Sequence, residues 1–349
     1  MERQSLNTSE TKLLLRCTKA LPTPFANKTS PLMKKLALFV CLILFSQTLF
    51  GQSVQNMQTE PNEGKTKMKK AYEISNKLIR ERLKNESDTN STVLEEISKS
   101  DLVVIDGTYD HIHMVLDVLE LPYQRITQSQ VMAAKFEPHQ TIFVNCASGF
   151  PKDAARKLSG FVAEGGQMIT TDWALKHVLQ VAFPGYVEYN NKPTRDEVVR
   201  IEIVNKEDPV IKGFLDEETD PVWWLEGSSY PIKILDTSKV EVLIKSKQLK
   251  ASYGQEPVLI KFTYGKGIVY HMISHFYLQR TETKNAMQTA GASDYIKSKG
   301  GKKVVEELEK DEDAKDLNYG EVQSANTSAE FIMRAIIKQK KKVLQKQEK

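Results

Sequence analysis

Cysteine is almost absent: three of 349 residues are Cys, at positions 17, 41 and 146, and two of these lie within the first 51. Beyond residue 51 the chain therefore carries a single thiol, Cys146, and no intramolecular disulfide can form there. A dominant charge is lacking as well. Lys plus Arg number 49 against 45 Asp plus Glu, a formal +4, so there is no domain-wide field for wrapping nucleic acid and no nucleic-acid partner is expected. Long apolar runs are missing too. The longest, Leu36 to Phe45, has ten residues, well short of the ~20 that a bilayer-spanning helix requires. What remains is ordinary: 40% hydrophobic and 27% charged residues with 17 Gly and 13 Pro. Disorder throughout, collagen and a multi-span membrane protein are thereby excluded.

The short apolar run follows Met33-Lys34-Lys35 and gives way to Ser46-Gln47-Thr48 and Leu49-Phe50-Gly51. A charged start, a short apolar centre and a small-residue exit are the parts of a secretory signal. Residues 1–32 then read as a leader ahead of the true start, 33–51 as a signal peptide, and 52–100 as a polar tether and helical extension. The expectation is an exported protein, periplasmic or extracellular, the alternative being an inner-membrane anchor through residues 36–50. Cys41 follows Val40 inside the run, so it is not read as a lipid-attachment cysteine.

From Asp101 the pattern changes. LVVID (102–106), YQRIT (123–127), TIFVN (141–145) and QMITT (167–171) are short apolar runs ended by turn residues, as buried strands are. Between them HIHMVLDVLEL (111–121), PKDAARKLSGFVAEGG and Trp173 to Phe183 carry helical spacing. Strands alternating with helices at short loop lengths predict an α/β fold, a three-layer, doubly wound, mostly parallel sheet over residues 101–280 with N- and C-terminal helical extensions. EVVRIEIV (197–204), VEVLIKS (240–246), PVLIKFTYG (257–265) and GIVYHMISHF (267–276) read as further strands, the last two joined by a hairpin turn. Residues 281–349 read as a helical C-terminal extension, with a helix near 301–308 and another over 328–343. The six lysines of 338–349 read as a frayed, solvated tail, with contact to an anionic surface as the alternative.

Open α/β sheets bind ligands at the carboxyl ends of their strands, and the candidate residues gather there. Asp106, Gly107 and Tyr109 follow the first strand and form either a ligand cradle or an ordinary polar turn. Asn145 and Cys146 end the third, where Cys146 is either a thiol beside a helix start or a buried small hydrophobe. Thr171, Asp172 and Trp173 end the fourth. Asp172 reads either as a general base or ligand acceptor, or as a helix N-cap. His275 and His271 fall on one predicted strand about 13 Å apart, too far to share a metal. His111 and His113 form an H-x-H without a second cluster at ligand spacing, so neither a metal nor a cofactor is expected. Trp223-Trp224 is read as core, with a carbohydrate-stacking platform as the alternative.

The order of the pieces TIFVNC, KLSGFVAEGGQMITTDWAL, PVIKGF and TYGKGIVYHMISHFYL resembles the class I glutamine amidotransferase-like fold, in its non-amidotransferase, ThuA-like branch. The likeness covers about residues 101–279. In amidotransferases of this fold the nucleophilic Cys stands on the elbow after the strand that follows the Gly-Gly step, whereas here Thr171-Asp172-Trp173 occupies that place. With the signal expected at 33–51, the reading is an exported domain, and the resemblance with its missing elbow Cys implies a non-catalytic domain binding a small molecule or a protein partner at the strand-end crevice, without glutamine amidotransferase activity. Its alternative is a ThuA-like hydrolase or sugar-modifying enzyme using Asp172 and His275, with Cys146 nearby. A membrane contact is expected only through an uncleaved signal or the basic tail.

Overall fold

The computed structural model describes residues 62–211, 221–276 and 286–347. The expected leader, signal and most of the tether lie outside the described residues. Helix α1 (Asn62–Glu86) already begins within the stretch expected to be tether, because Met68, Ala71, Tyr72, Ile74, Leu78, Ile79 and Leu83 make a buried stripe that needs a partner. Helix α2 (Asp88–Glu95) follows. Then come β1 (Leu102–Ile105), α3 (Ile112–Val118), β2 (Gln124–Ile126), β3 (Thr141–Asn145), α4 (Lys152–Glu164) and β4 (Gln167–Thr171). Where a regular helix was expected after Trp173, a π-helical turn, Leu175–Leu179, runs into the short α5 (Gln180–Ala182).

Strands β5 (Val187–Tyr189), β6 (Glu197–Arg200), β7 (Glu202–Ile203), β8 (Val222–Leu225), β9 (Ile232–Ile234) and β10 (Val240–Lys245) come next. They are followed by α6 (Lys247–Tyr253), β11 (Pro257–Tyr264), β12 (Gly267–Met272), α7 (Ala292–Ser298), α8 (Lys302–Leu308) and α9 (Tyr319–Gln347). The architecture is mixed α/β around an eight-stranded sheet of order β2-β1-β3-β4-β12-β11-β10-β7. The five strands from β2 to β12 run parallel, and the last three alternate antiparallel. Pleating divides the side chains by period two. Leu102, Val104, Phe143, Ile169 and Tyr270 join the core shared with α1, α3 and α9. Val103, Ile105, Ile142, Val144 and Val269 join α4 and the turn after Trp173 on the other face.

Three sequence expectations are corrected. The run 197–204 is two strands, since the chain changes partners at buried Ile201: β6 pairs with β8, β7 with β10 at the sheet edge. The strand expected through Phe276 ends at Met272, so His275 sits on the following loop and is not on a strand with His271. As far as Gln347, the last described residue, the basic tail is helical and not frayed. Helix α9 continues to Gln347, and its lysines find acceptors on the body: Lys340 reaches Asp101 at 3.0 Å, Lys338 the Tyr270 hydroxyl at 2.9 Å and Lys342 the Lys266 carbonyl at 2.9 Å. Both Trp223 and Trp224 are core, at 7% and 6% exposure, each side of β8 being covered. Among the described residues no helix is long and apolar enough to cross a membrane.

The hairpin between β11 and β12 lies directly on the end of α4. A Cβ on Gly267 would stand 2.1 Å from the Val162 carbonyl oxygen and 2.3 Å from that of Gly166, both backbone atoms that cannot step aside. Gly267→Ala is expected to cost about 3 kcal/mol. Gly160→Ala, at an exposed helix position with nothing within 4 Å of the new carbon, should stabilise by about 0.5–1 kcal/mol. Urea midpoints of the two variants check the contrast, and equal midpoints would refute it.

Candidate functional site

The carboxyl ends of β1, β3, β4 and β12 deliver their following loops to one place. The first two loops are stitched together: Thr108 N donates to the Cys146 carbonyl at 3.0 Å, and the Thr108 and Ser148 hydroxyls are 2.8 Å apart. The contact leaves no room for a side chain on Gly107, whose Cβ would fall 1.9 Å from the Asn145 carbonyl oxygen. Cys146 and Asp172, the first residues past β3 and β4, both adopt left-handed backbone, with φ of 41° and 49°. That conformation is costly for residues other than glycine, and it turns each side chain sharply out of its strand.

The two turns and the loop after β12 bring the Cys146 sulfur, an Asp172 carboxylate oxygen and a His275 ring nitrogen within 4.8 Å of one another. His275 Nε2 lies 3.1 Å from Asp172 Oδ2, near enough for an ion pair but without hydrogen-bond alignment. On the ring's other side Nδ1 pairs with Glu226 Oε2. Asp172 does not cap a helix. Its carboxylate instead accepts from Ser229 Oγ and from Tyr230 N, each at 2.9 Å, which corrects the helix-cap expectation. Thr171 Oγ1 accepts from Cys146 N at 3.1 Å and donates to Asp110 Oδ2 at 2.9 Å, so Asp110 supports the Cys146 turn from behind.

Cys146 and Asp172 are buried and His275 nearly so. Burial pushes the Asp172 and Asp110 carboxyls above their ordinary range and pushes the Cys146 thiol up, against the pull of His275 in each case. Burial opposes charge on His275 too, yet its contacts with Asp172, Cys146 and Glu226 outweigh this and hold its pKa well above the usual value. The thiol is thus protonated and shielded while the imidazole favours its charged form.

Beside this polar group stands a wall of aromatic rings. Trp173 stacks on Tyr230 with centroids 5.8 Å apart and meets Tyr109 edge-on at 5.2 Å, while Tyr230 stacks on Tyr189 at 3.8 Å. The Trp173 indole donates to the Ser228 carbonyl at 2.8 Å, and Tyr109 is 58% exposed.

Of the residues singled out from sequence, Cys146, Asp172 and His275 converge, Thr171 supports them, and Tyr109 and Trp173 form the rim. Asn145 is buried at the strand end. Asp106 turns away, pairing with Arg125 on β2 at 2.6 Å. His111 and His113 lie edge to face with each other and take no part. Glu226, Ser229, Tyr230, Tyr189 and the supporting role of Asp110 escape a sequence reading.

No protein-family model matches the sequence and no curated protein does. Among solved structures, a cytoplasmic protein from Salmonella typhimurium is 14% identical with a TM-score of 0.36, over 51% of this chain and 88% of that one. A β-galactosidase from Bacillus circulans sp. alkalophilus is 16% identical with a TM-score of 0.33, over 53% of this chain and 30% of the galactosidase. A carbohydrate deacetylase is 11% identical with a TM-score of 0.36, over 50% of this chain and 29% of that one. Likenesses this distant carry no argument about activity.

Proposed function

We propose that the chain is an exported α/β domain, of the doubly wound amidotransferase-like kind in its ThuA-like branch, that binds a small polar ligand at the strand-end crevice. Supporting the finer fold reading are the order β2-β1-β3-β4-β12 of the parallel strands, which follows the flavodoxin-like pattern, and helices on both sheet faces. The observation that carries the binding reading is the aromatic wall of Tyr109, Trp173 and Tyr230 beside the Asp172–His275 pair. Flat apolar rings next to charged hydrogen-bonding groups suit a sugar or sugar acid, whose ring has an apolar face and a polar edge. Absence of a Cys at the elbow argues against amidotransferase chemistry.

Trp173 reports on binding directly, because Trp223 and Trp224 are buried in the core. Titrating the chain with monosaccharides, sugar acids and short oligosaccharides should give a saturable change in tryptophan fluorescence. Tyr109→Ala should weaken it about tenfold, the loss of roughly 1.4 kcal/mol. Binding by Asp172→Ala equal to that of the unaltered chain would remove the crevice from the reading, and no saturable response to any of these ligands would remove the small-ligand class.

The second reading is a sugar-modifying hydrolase. Favouring it is the order Glu226, His275, Asp172, in which one carboxylate orients the ring and the other faces its far nitrogen, an arrangement suited to general acid–base work. Release of product from sugar esters or glycosides, abolished in His275→Gln, would establish turnover over binding alone.

A further inference from the structure

Several buried polar atoms at the strand ends lack a hydrogen-bond partner: Asp110 Oδ1, both side-chain atoms of Asn145 and Ser274 Oγ. Each such group costs about 1–3 kcal/mol when left unpaired, and few regions of a folded chain gather so many. At the same strand ends Cys146 Sγ, an Asp172 oxygen and a His275 nitrogen converge within 4.8 Å. One thiol, one carboxylate and one imidazole are the donor types that bind a borderline divalent cation in place of magnesium or calcium.

The spacing of the carboxylate and imidazole suits a single ion. Bonds of about 2.0–2.3 Å in a tetrahedral zinc site separate neighbouring ligand atoms by roughly 3.3–3.7 Å. The observed 3.1 Å between His275 Nε2 and Asp172 Oδ2 needs only a few tenths of an ångström of opening. Supporting contacts are in place. Glu226 engages Nδ1 and leaves Nε2 toward Asp172, the carboxylate–histidine pairing that orients imidazoles on metals. Ser229 and Tyr230 fix the Asp172 carboxylate, and the Asp110–Thr171 bond holds the turn that aims Cys146.

We propose that Cys146, Asp172 and His275 form a binding site for one zinc-class divalent cation, with Glu226 as the residue that positions His275. Coordination sends the Cys146 thiol proton and any proton on His275 Nε2 to solvent, and the metal takes the freed lone pairs. Three protein ligands leave one position for a ligand atom. The three come from loops far apart in sequence, which is why no ligand spacing is visible in the chain. This site does not depend on the sugar-binding reading, since metal uptake is measured with no sugar present.

The test uses the full chain carrying Cys17→Ser and Cys41→Ser, so that Cys146 is the sole thiol, stripped with a chelator and titrated with cobalt(II) and zinc. The expected result is about one cobalt per chain with a thiolate-to-cobalt charge-transfer band in the near ultraviolet, displaced by zinc. Cys146→Ser should lose the band, and Asp172→Asn and Glu226→Gln should weaken uptake by roughly tenfold or more. Absence of the band from the chain with Cys146 intact overturns the proposal whether or not the variants fold. A band that persists in Cys146→Ser overturns it as well.

Discussion

Replacing Glu330 with alanine is expected to lower stability by about 3–5 kcal/mol, the cost of breaking a buried charge network by removing one member. Glu330 is fully buried on α9. Its Oε1 accepts from Arg334 Nε at 3.0 Å and Nη2 at 2.8 Å, and its Oε2 from Arg82 Nη1 on α1 at 2.6 Å and Asn326 Nδ2 at 3.2 Å. Arg334 also reaches back to Glu86 at the end of α1, with Nη1 to Oε2 at 2.9 Å. Alanine deletes the acceptor that two guanidinium groups share and leaves their charge in a low-dielectric layer. Glu330→Gln keeps the shape and some of the bonds, so its cost should be smaller. Urea midpoints measure both, and a loss under about 1 kcal/mol for alanine would show that apolar packing alone joins the two helices.

Acid should weaken the fold through His271. This residue is fully buried in β12, its Nδ1 sits 2.8 Å from Thr170 Oγ1, and burial drives its pKa down to about 3. In the unfolded chain the same ring titrates near ~6.5. Between these values the unfolded state binds a proton that the native state refuses, so native stability falls as pH drops. The loss attributable to His271 is about 1.4 kcal/mol per pH unit, or roughly 2 kcal/mol from pH 6.5 to 5. Asp110 and Asp172, with raised pKa values, act with the opposite sign, which makes a difference measurement necessary. His271→Gln should show a flatter dependence than the unaltered chain across this range. Parallel curves would mean that His271 is protonated in the native state.

Much of the central sheet was legible because parallel strands buried on both faces are written as short apolar runs. TIFVN and QMITT match β3 and β4 residue for residue. Legibility failed where partners change or are distant. Nothing local in EVVRIEIV marks Ile201 as the point of transfer between two sheets, and nothing in the terminal lysines tells that Asp101, Tyr270 and the Lys266 carbonyl will receive them. The same holds for the site. Cys146, Asp172 and His275 were recognisable as residues at or near strand ends, since the strand pattern marks where loops must emerge. Glu226, Ser229 and Tyr230 were not, because they come from a loop between β8 and β9, outside the main sheet. Their role follows from tertiary contact with Asp172 and His275 alone.

The joining of α1 to α9 has a consequence for how the chain acquires its shape. Arg82 and Glu330 are 248 residues apart, and Phe331, Ile332, Ala335 and Ile336, which cover the sheet beside α1, come just after Glu330. During synthesis the part of the α1 stripe that α9 covers must wait for almost the whole remaining chain to emerge, although α2 and α3 reach it early. Contacts of such separation slow folding, and the uncovered stripe is meanwhile open to aggregation. A chain halted before residue 330 would carry a largely formed sheet with the part of one face that α9 covers left open, so premature termination in this protein should yield insoluble material more readily than a loss of the same length from a surface loop.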